Sequence, residues 1–168
     1  PYWIQNRQLR ENKKTRYMIN ASLKYQLFDW LDVVGRVKID NYDNRSTYKA
    51  YASTSSLASG SRGTYADTSS QSKNTYADAI ATLNKSFNDW SVNVNLGVSL
   101  SDSRYEMIGY EGGLKLINFF AVHNIDFNKA WKAKQSGWHD QTRAIFANAE
   151  IGWKSMIYLT ATGRNDWD

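Results

Sequence analysis

The sequence predicts an all-β fold: an antiparallel section of a transmembrane β-barrel, with about six strands arranged as three hairpins. Apolar and polar residues alternate with a period of two along several stretches, as in strands with one apolar face. The clearest stretches are roughly 11 to 14 residues long, enough to cross a bilayer when a strand is tilted. Short turns join the strands of a hairpin and long loops join the hairpins, as in bacterial outer-membrane barrels.

The first hairpin is predicted from two neighbouring runs. Apolar side chains take most of the odd positions from Tyr17 to Leu27 and again from Leu31 to Ile39. Only the turn around Phe28-Asp29-Trp30 separates the two runs, so they form two antiparallel strands. The positions between the apolar ones in the second strand include Arg36, Lys38 and Asp40.

The second hairpin contains the cleanest alternation of the chain. Apolar residues occupy the even positions from Trp90 to Leu100, and Asn93 and Asn95 lie between them. A weaker strand over residues 74 to 87 precedes this run. The sequence Phe87-Asn88-Asp89-Trp90 supplies the turn between the two strands.

The third hairpin pairs residues 142 to 153 with residues 155 to 167. Its apolar side runs from Ile145 to Ile151 and then from Ile157 to Ala161, and Gly152-Trp153-Lys154-Ser155 makes the turn. The alternate positions on the polar side include Asn148, Glu150 and Arg164.

The two faces of these strands are expected to meet different surroundings. The apolar face points to lipid and the polar face lines the lumen. The residues expected to face lipid include Tyr17, Ile19, Leu23, Val92, Val94, Leu96 and Ile157. The lumen-facing candidates are Arg36, Lys38, Asp40, Asn93, Asn95, Asn148, Glu150 and Arg164. Arg164 and Asp166 lie two residues apart on one face and are expected to pair with each other or with charges of adjacent strands.

The connections are unequal in length at the two ends of the strands. We predict long loops over Ser46 to Ser72 and over Glu106 to Gln141, and we expect both on the extracellular side. The short turns marked by Asp29, Asp89 and Lys154 are expected on the periplasmic side.

The second long loop is rich in aromatic residues interleaved with lysines. The candidates for contacting a ligand are Tyr110, Phe119, Trp131 and Trp138. Such rings can stack on sugar faces, or they can pack on one another and give the loop a small core of its own. Both interpretations remain open at the level of the sequence.

Composition excludes several classes of function. There is no cysteine, and His123 and His139 have no further ligands at metal-site spacing, so we predict no metal site. The chain contains no phosphate loop, dinucleotide-binding motif or nucleophile elbow, and we predict neither a cofactor nor enzyme activity.

The charge balance indicates no nucleic-acid partner. The formal net charge is +5, and most of the charges are spread along the chain. The one local basic cluster consists of Arg7, Arg10, Lys13, Lys14 and Arg16.

Four stretches resemble the SusC/RagA-like family of TonB-dependent transporters. They are Pro1-Tyr2-Trp3, the strand from Ala77-Asp78 to Phe87, the Phe-Asn-Asp-Trp turn that leads into Asn95-Leu96-Gly97, and Leu159 to Trp167. The last of these, which ends in Gly163-Arg164-Asn165-Asp166-Trp167, is the most specific. We expect this signature to have a structural role.

The resemblance implies a barrel of about 22 strands in the bacterial outer membrane, among lipid and lipopolysaccharide. It also implies a plug domain, opening by the TonB complex, and a SusD-like surface lipoprotein as partner. The imported nutrient would be a large oligosaccharide or peptide. Residues 1–168 would then be part of one barrel domain, without the plug and the carboxyl-terminal barrel strands.

A second class of protein explains the same alternation. A soluble antiparallel β-sandwich that binds carbohydrate also has strands with one apolar face, which packs against a second sheet. In that protein the polar residues above would form the solvent face.

Overall fold

The computed structural model describes residues 2–53 and 60–168. A short helix, α1 (Tyr2–Arg7), leads into β1 (Gln8–Phe28) and β2 (Leu31–Ala50); β3 (Thr64–Phe87), β4 (Trp90–Gly113), β5 (Trp131–Trp153) and β6 (Ile157–Trp167) follow. A single 3-10 turn (Val122–Asn124) precedes β5. The strands form one antiparallel six-stranded sheet in the order β1-β2-β3-β4-β5-β6, so consecutive strands are neighbours. The predicted all-β architecture of six strands in three hairpins is confirmed.

The hairpin turns lie where the sequence predicts them. The first turn is Asp29-Trp30 and the second is Asn88-Asp89, where Asn88 has a positive φ of 52°. In the third, the backbone N–H of Met156 donates to the carbonyl of Trp153 at 3.0 Å, and both intervening residues have positive φ. This is the geometry of a type I′ turn, whose twist matches that of the two strands it joins.

The strands are longer than predicted. Strands β1 to β5 contain 20 to 24 residues each, whereas the apolar alternation marks only about half of that length. Alternation detects a strand only where one face is apolar, and these strands continue through sequence that is polar on both faces.

The inter-hairpin loops are correspondingly shorter than predicted. The first covers residues 51–63, of which 54–59 lie outside the described residues, and the second covers residues 114–130. The predicted bounds Ser46 to Ser72 and Glu106 to Gln141 are therefore wrong at both ends. Helix α1 was not predicted either.

The β-sandwich alternative is wrong. A sandwich needs two packed sheets, and the residues that the structure describes form one. In this same part of the chain, no helix has the length and apolarity that a membrane crossing requires.

Contacts divide the chain into two compact units. The turn unit contains the hairpin turns and comprises residues 17–40, 73–104 and 139–168. The loop unit contains the inter-hairpin loops and comprises residues 1–16, 41–72 and 105–138.

Candidate functional site

The register of β5 and β6 shows which residues share a face. Glu150 lies opposite Thr160 and Ile151 opposite Leu159. Because opposed residues of an antiparallel pair point to the same side, the polar positions of both strands share one face and the apolar positions share the other.

Side-chain contacts in the turn unit extend this polar face to the neighbouring strands. Thr82 of β3 donates a hydrogen bond to the Asn95 side chain of β4 at 2.8 Å. Gly97, two residues further along β4, lies directly beneath the ring of Phe146 of β5. Phe146 is in turn opposite Arg164 of β6. By alternation along each strand, these contacts place Asn93, Asn95, Asn148, Glu150 and Arg164 on one face.

An ion pair between β2 and β3 shows that the candidates of β2 lie on the same polar face. The Arg36 guanidinium donates to both oxygens of Asp78, from Nε to Oδ1 and from Nη2 to Oδ2, each at 2.9 Å. The Asp78 side chain is only 2% exposed, whereas that of Arg36 is 52% exposed. Since Asp78 lies four residues before Thr82 in β3, Arg36, Lys38 and Asp40 share the face of the other candidates. All eight predicted lumen candidates thus lie on one face.

Hydrogen bonds join the polar side chains along and across the strands. Asn95 donates to Asn93 at 2.8 Å, and Asn93 donates to Asn84. Between β5 and β6, Asn148 donates to Thr162 at 2.8 Å and Thr160 donates to Glu150 at 3.4 Å.

The sequence signature at the end of the chain forms an internal pair. Arg164 Nε lies 2.8 Å from Asp166 Oδ1, as the sequence predicts, and the guanidinium carbon lies 6.0 Å from the centre of the Phe146 ring. Both charged side chains are about half exposed, at 53% and 48%.

The opposite face of the turn unit is apolar and exposed. Leu23 is 74% exposed, Leu159 71% and Leu96 56%. An apolar surface this extensive marks contact with lipid or with another apolar surface. The seven residues that the sequence assigns to lipid all lie on this face by alternation.

Within the loop unit, Arg45 of β2 pairs with Asp67 of β3. Its Nε lies 3.0 Å from Oδ1 and its Nη2 2.6 Å from Oδ2. The hydrogen bonds from Arg45 hold the pKa of Asp67 below its ordinary value. The hydroxyl of Tyr65 adds a bond to Asp67 at 3.3 Å, and burial raises the pKa of Tyr65.

Three of the four aromatic candidates belong to strands and not to a loop. Tyr110 lies in β4, and Trp131 and Trp138 lie in β5, because both strands extend into the segment predicted as a loop. Only Phe119 lies between strands, with its ring in edge contact with that of His123.

The environments of these rings differ. Tyr110 packs against the small core formed by Tyr65, Leu114 and Ile125. Trp131 stands edge-on to Phe127 with ring centres 4.9 Å apart. These contacts agree with the interpretation that the segment packs on itself. Trp138 differs, because it stacks on Tyr105 across the two strands at 6.2 Å.

The second loop is held together by one buried amide. Asn124 is 3% exposed, and its side chain accepts from the Leu116 N–H and donates to the carbonyls of Leu116 and Phe119 at 2.7 to 3.0 Å. Next to it Ile125 is fully buried and bridges to Leu114. The segment is therefore an ordered structural loop.

The two histidines have separate side-chain contacts. His139 Nε2 lies 2.9 Å from Asp102 Oδ2, and His123 contacts Phe119. Within the described ranges, 2–53 and 60–168, no group of three or more His, Cys, Asp or Glu side chains is placed to hold an ion.

Sequence reasoning missed two members of the polar face. Asp78 lies in the weaker strand, where alternation of alanine with polar residues gives little contrast. Phe146 is an aromatic residue on a polar face, and its place is explained only by Gly97 beneath it. A glycine on the facing strand was the available signal for such a contact.

The sequence matches no protein-family model and no curated protein. Solved structures do match it. A chain described as "Structure of the RagAB peptide transporter" superposes with a TM-score of 0.88 over 99% of this chain at 13% identity. The RagAB peptide importer in the "open-open" state matches with a TM-score of 0.88 over 99% of this chain at 12% identity. In the "closed-closed" state it matches with a TM-score of 0.84 over 95% of this chain, also at 12% identity.

The match establishes the fold. The described sheet has the architecture of a section of the RagAB barrel, a SusC-like transporter, which confirms at the level of fold the resemblance found in the sequence. The chain spans only about a fifth of the length of these structures, with 18% to 19% of each covered.

Proposed function

We propose that this chain forms part of the wall of an outer-membrane importer, with its polar face lining the transport path and its apolar face against lipid. The observation that carries the proposal is the separation of the two faces in the turn unit. One face holds the Arg36–Asp78 pair and the asparagine row, while the other exposes leucines and valines. Transmembrane barrels require this alternation of apolar-out and polar-in.

The length of the apolar stretch supports a membrane crossing. In β1 it runs from Tyr17 to Leu27, about 11 residues, which matches the 9 to 11 residues of a tilted transmembrane strand. The remainder of β1, from Gln8 to Arg16, is polar on both faces apart from Leu9. We infer that this remainder lies outside the hydrocarbon and that the long loops are extracellular, since outer-membrane barrels keep their short turns in the periplasm.

A larger barrel is part of the proposal. In the described sheet β1 and β6 are edge strands, and unpaired edges are not tolerated in lipid because their N–H and C=O groups have no partners there. We propose that both pair with further strands of one transporter that also has a plug, is energised through the TonB complex, and works with a SusD-like lipoprotein.

The proposed cargo is a large nutrient, and the descriptions of the matched structures as peptide transporters favour peptides over oligosaccharides. The direct test measures uptake of labelled oligopeptides and oligosaccharides by cells with and without the full-length gene. Loss of peptide uptake alone is expected. Loss of oligosaccharide uptake alone would correct the substrate class, and unchanged uptake of both would overturn the proposal.

The topology is tested by labelling intact cells with a membrane-impermeant thiol reagent. A cysteine at Leu116, which is 64% exposed in the second loop, should react, and one at Asp89 in a short turn should not. The reverse pattern would show that the loops face the periplasm.

A further inference from the structure

The proposed function gives no role to the basic cluster of Arg7, Arg10, Lys13, Lys14 and Arg16. The structure separates its members by face. Lys13 pairs with Glu11 at 3.1 Å at odd positions of β1, whereas Arg10 and Lys14 occupy even positions. Alternation puts Arg10 and Lys14 on one side of the strand and Lys13 on the other.

Each of these two cations lies over a tyrosine of β2 within the loop unit. The guanidinium carbon of Arg10 lies 5.5 Å from the centre of the Tyr48 ring, and Lys14 Nζ lies 4.3 Å from the centre of the Tyr42 ring. Both distances are within the range of cation–π attraction. The ring holds the cation from one side and supplies no hydrogen-bond acceptor from its face, so the N–H groups retain their capacity for an anion.

The charge of this pair of sites is not neutralised locally. Among the described residues, no carboxylate lies within salt-bridge distance of Arg10 or Lys14, whereas Arg45–Asp67 and Lys129–Asp126 in the same unit are ion pairs. Arg10 and Lys14 are exposed while Tyr42 and Tyr48 are half-buried. The tyrosines therefore act as a fixed support beneath two accessible positive charges.

The spacing fits an extended ligand. Arg10 and Lys14 lie four residues apart in one strand, a separation of about 13 Å. An extended peptide advances by the same distance over four residues, so two carboxylates at positions i and i+4 meet both cations together.

We propose that Arg10 and Lys14, supported by Tyr48 and Tyr42, form a binding site for acidic segments of an extended peptide cargo. The inference rests on the proposed import function and adds the chemical class of the cargo. An acidic peptide can contact both cations at once, because their separation matches its own residue spacing. A small anion can contact only one of them, so the site favours acidic peptides.

The test compares two peptides of equal length in the purified full-length transporter. One carries glutamates at positions i and i+4, and the other carries glutamines there. Wild type should bind the acidic peptide more tightly, and the double variant Arg10→Gln/Lys14→Gln should raise its Kd about tenfold or more while leaving the glutamine peptide unchanged. The control Lys13→Gln, on the other side of β1, should leave both affinities unchanged.

The tyrosines give a second readout. Tyr42→Phe keeps the ring and should retain affinity for the acidic peptide, whereas Tyr42→Leu should weaken it severalfold, since the cation loses its support. If the double variant weakens both peptides equally, or neither, the acidic site is overturned and peptide import stands. If the double variant loses the co-purifying lipoprotein but keeps peptide affinity, the cations belong to a partner surface and the inference fails. If the transporter imports no peptide, both the proposed peptide import and this inference fail.

Discussion

At the scale of single residues, burial distinguishes the two arginine–aspartate pairs of the polar face. Asp78 is buried under Arg36, whereas Asp166 and Arg164 are both half exposed. A carboxylate that is shielded from water depends on its partner, because water cannot replace the lost bonds. A pair that is open to water on both sides contributes little.

We therefore expect Arg36→Ala, which leaves the shielded Asp78 carboxylate without these donors, to destabilise the folded state by about 1 to 3 kcal/mol, and Arg164→Ala, which leaves Asp166 open to water, by less than about 1 kcal/mol. The measurement is the temperature at which the purified full-length transporter loses its folded, heat-modifiable form in detergent. Equal shifts for the two variants would show that the burial of Asp78 has no energetic consequence.

The Arg45–Asp67 pair predicts a dependence on pH. Hydrogen bonds from Arg45 depress the pKa of Asp67 below its ordinary value, so the ionised carboxylate stabilises the folded state at pH values above that ordinary pKa. This contribution is lost as pH falls through the depressed pKa. Arg45→Gln removes the donors and should make acid unfolding begin at a higher pH, as followed by tryptophan fluorescence from pH 6 to pH 2.

Lys49→Gln is the matched control, since Lys49 lies in the same strand and its substitution leaves both bonds from Arg45 to Asp67 in place. Its acid profile should follow that of the wild type. An unchanged profile for Arg45→Gln would mean that Asp67 finds other donors.

At the scale of strands, two adjacent residues of β4 lie on opposite faces of the sheet. Val94 belongs to the apolar face and Asn95 to the polar face, where it bonds to Thr82 and Asn93. Val94→Arg should cost about 2 to 4 kcal/mol if Val94 lies near the bilayer midplane, because its charge would enter hydrocarbon. Asn95→Arg, one residue away, should cost clearly less.

Folding into lipid vesicles, followed by urea titration, measures both variants. A similar loss of stability for the two would show that the apolar face does not meet lipid, and it would remove the main support for the membrane orientation proposed above.

At the scale of the whole molecule, the described sheet has two edges. We expect the 168-residue chain expressed alone to fail to insert stably in membranes, because β1 and β6 leave backbone groups unpaired. Membrane fractionation with a urea wash distinguishes inserted from aggregated protein. Stable, protease-resistant insertion of the isolated chain would show that it closes its edges by itself or by association with other copies.

Much of this architecture was predictable from the sequence. Alternation identified the membrane-length half of each strand, placed eight polar candidates on one face, and located all three hairpin turns. These features are local, because a period of two fixes which side chains share a face whatever the partner strand is. The Arg164–Asp166 pair was predictable for the same reason.

The tertiary structure alone decided the rest. Pairing with neighbours carries the strands on through polar sequence such as residues 41–50 and 64–72, where no one-sided burial marks them. Cross-strand register selects Asp78 as the partner of Arg36 and puts Phe146 over Gly97. The hydrogen bonds of Asn124 order a segment whose aromatic residues alone left two interpretations open. Each of these depends on residues distant in the chain, and only the folded sheet brings them within reach.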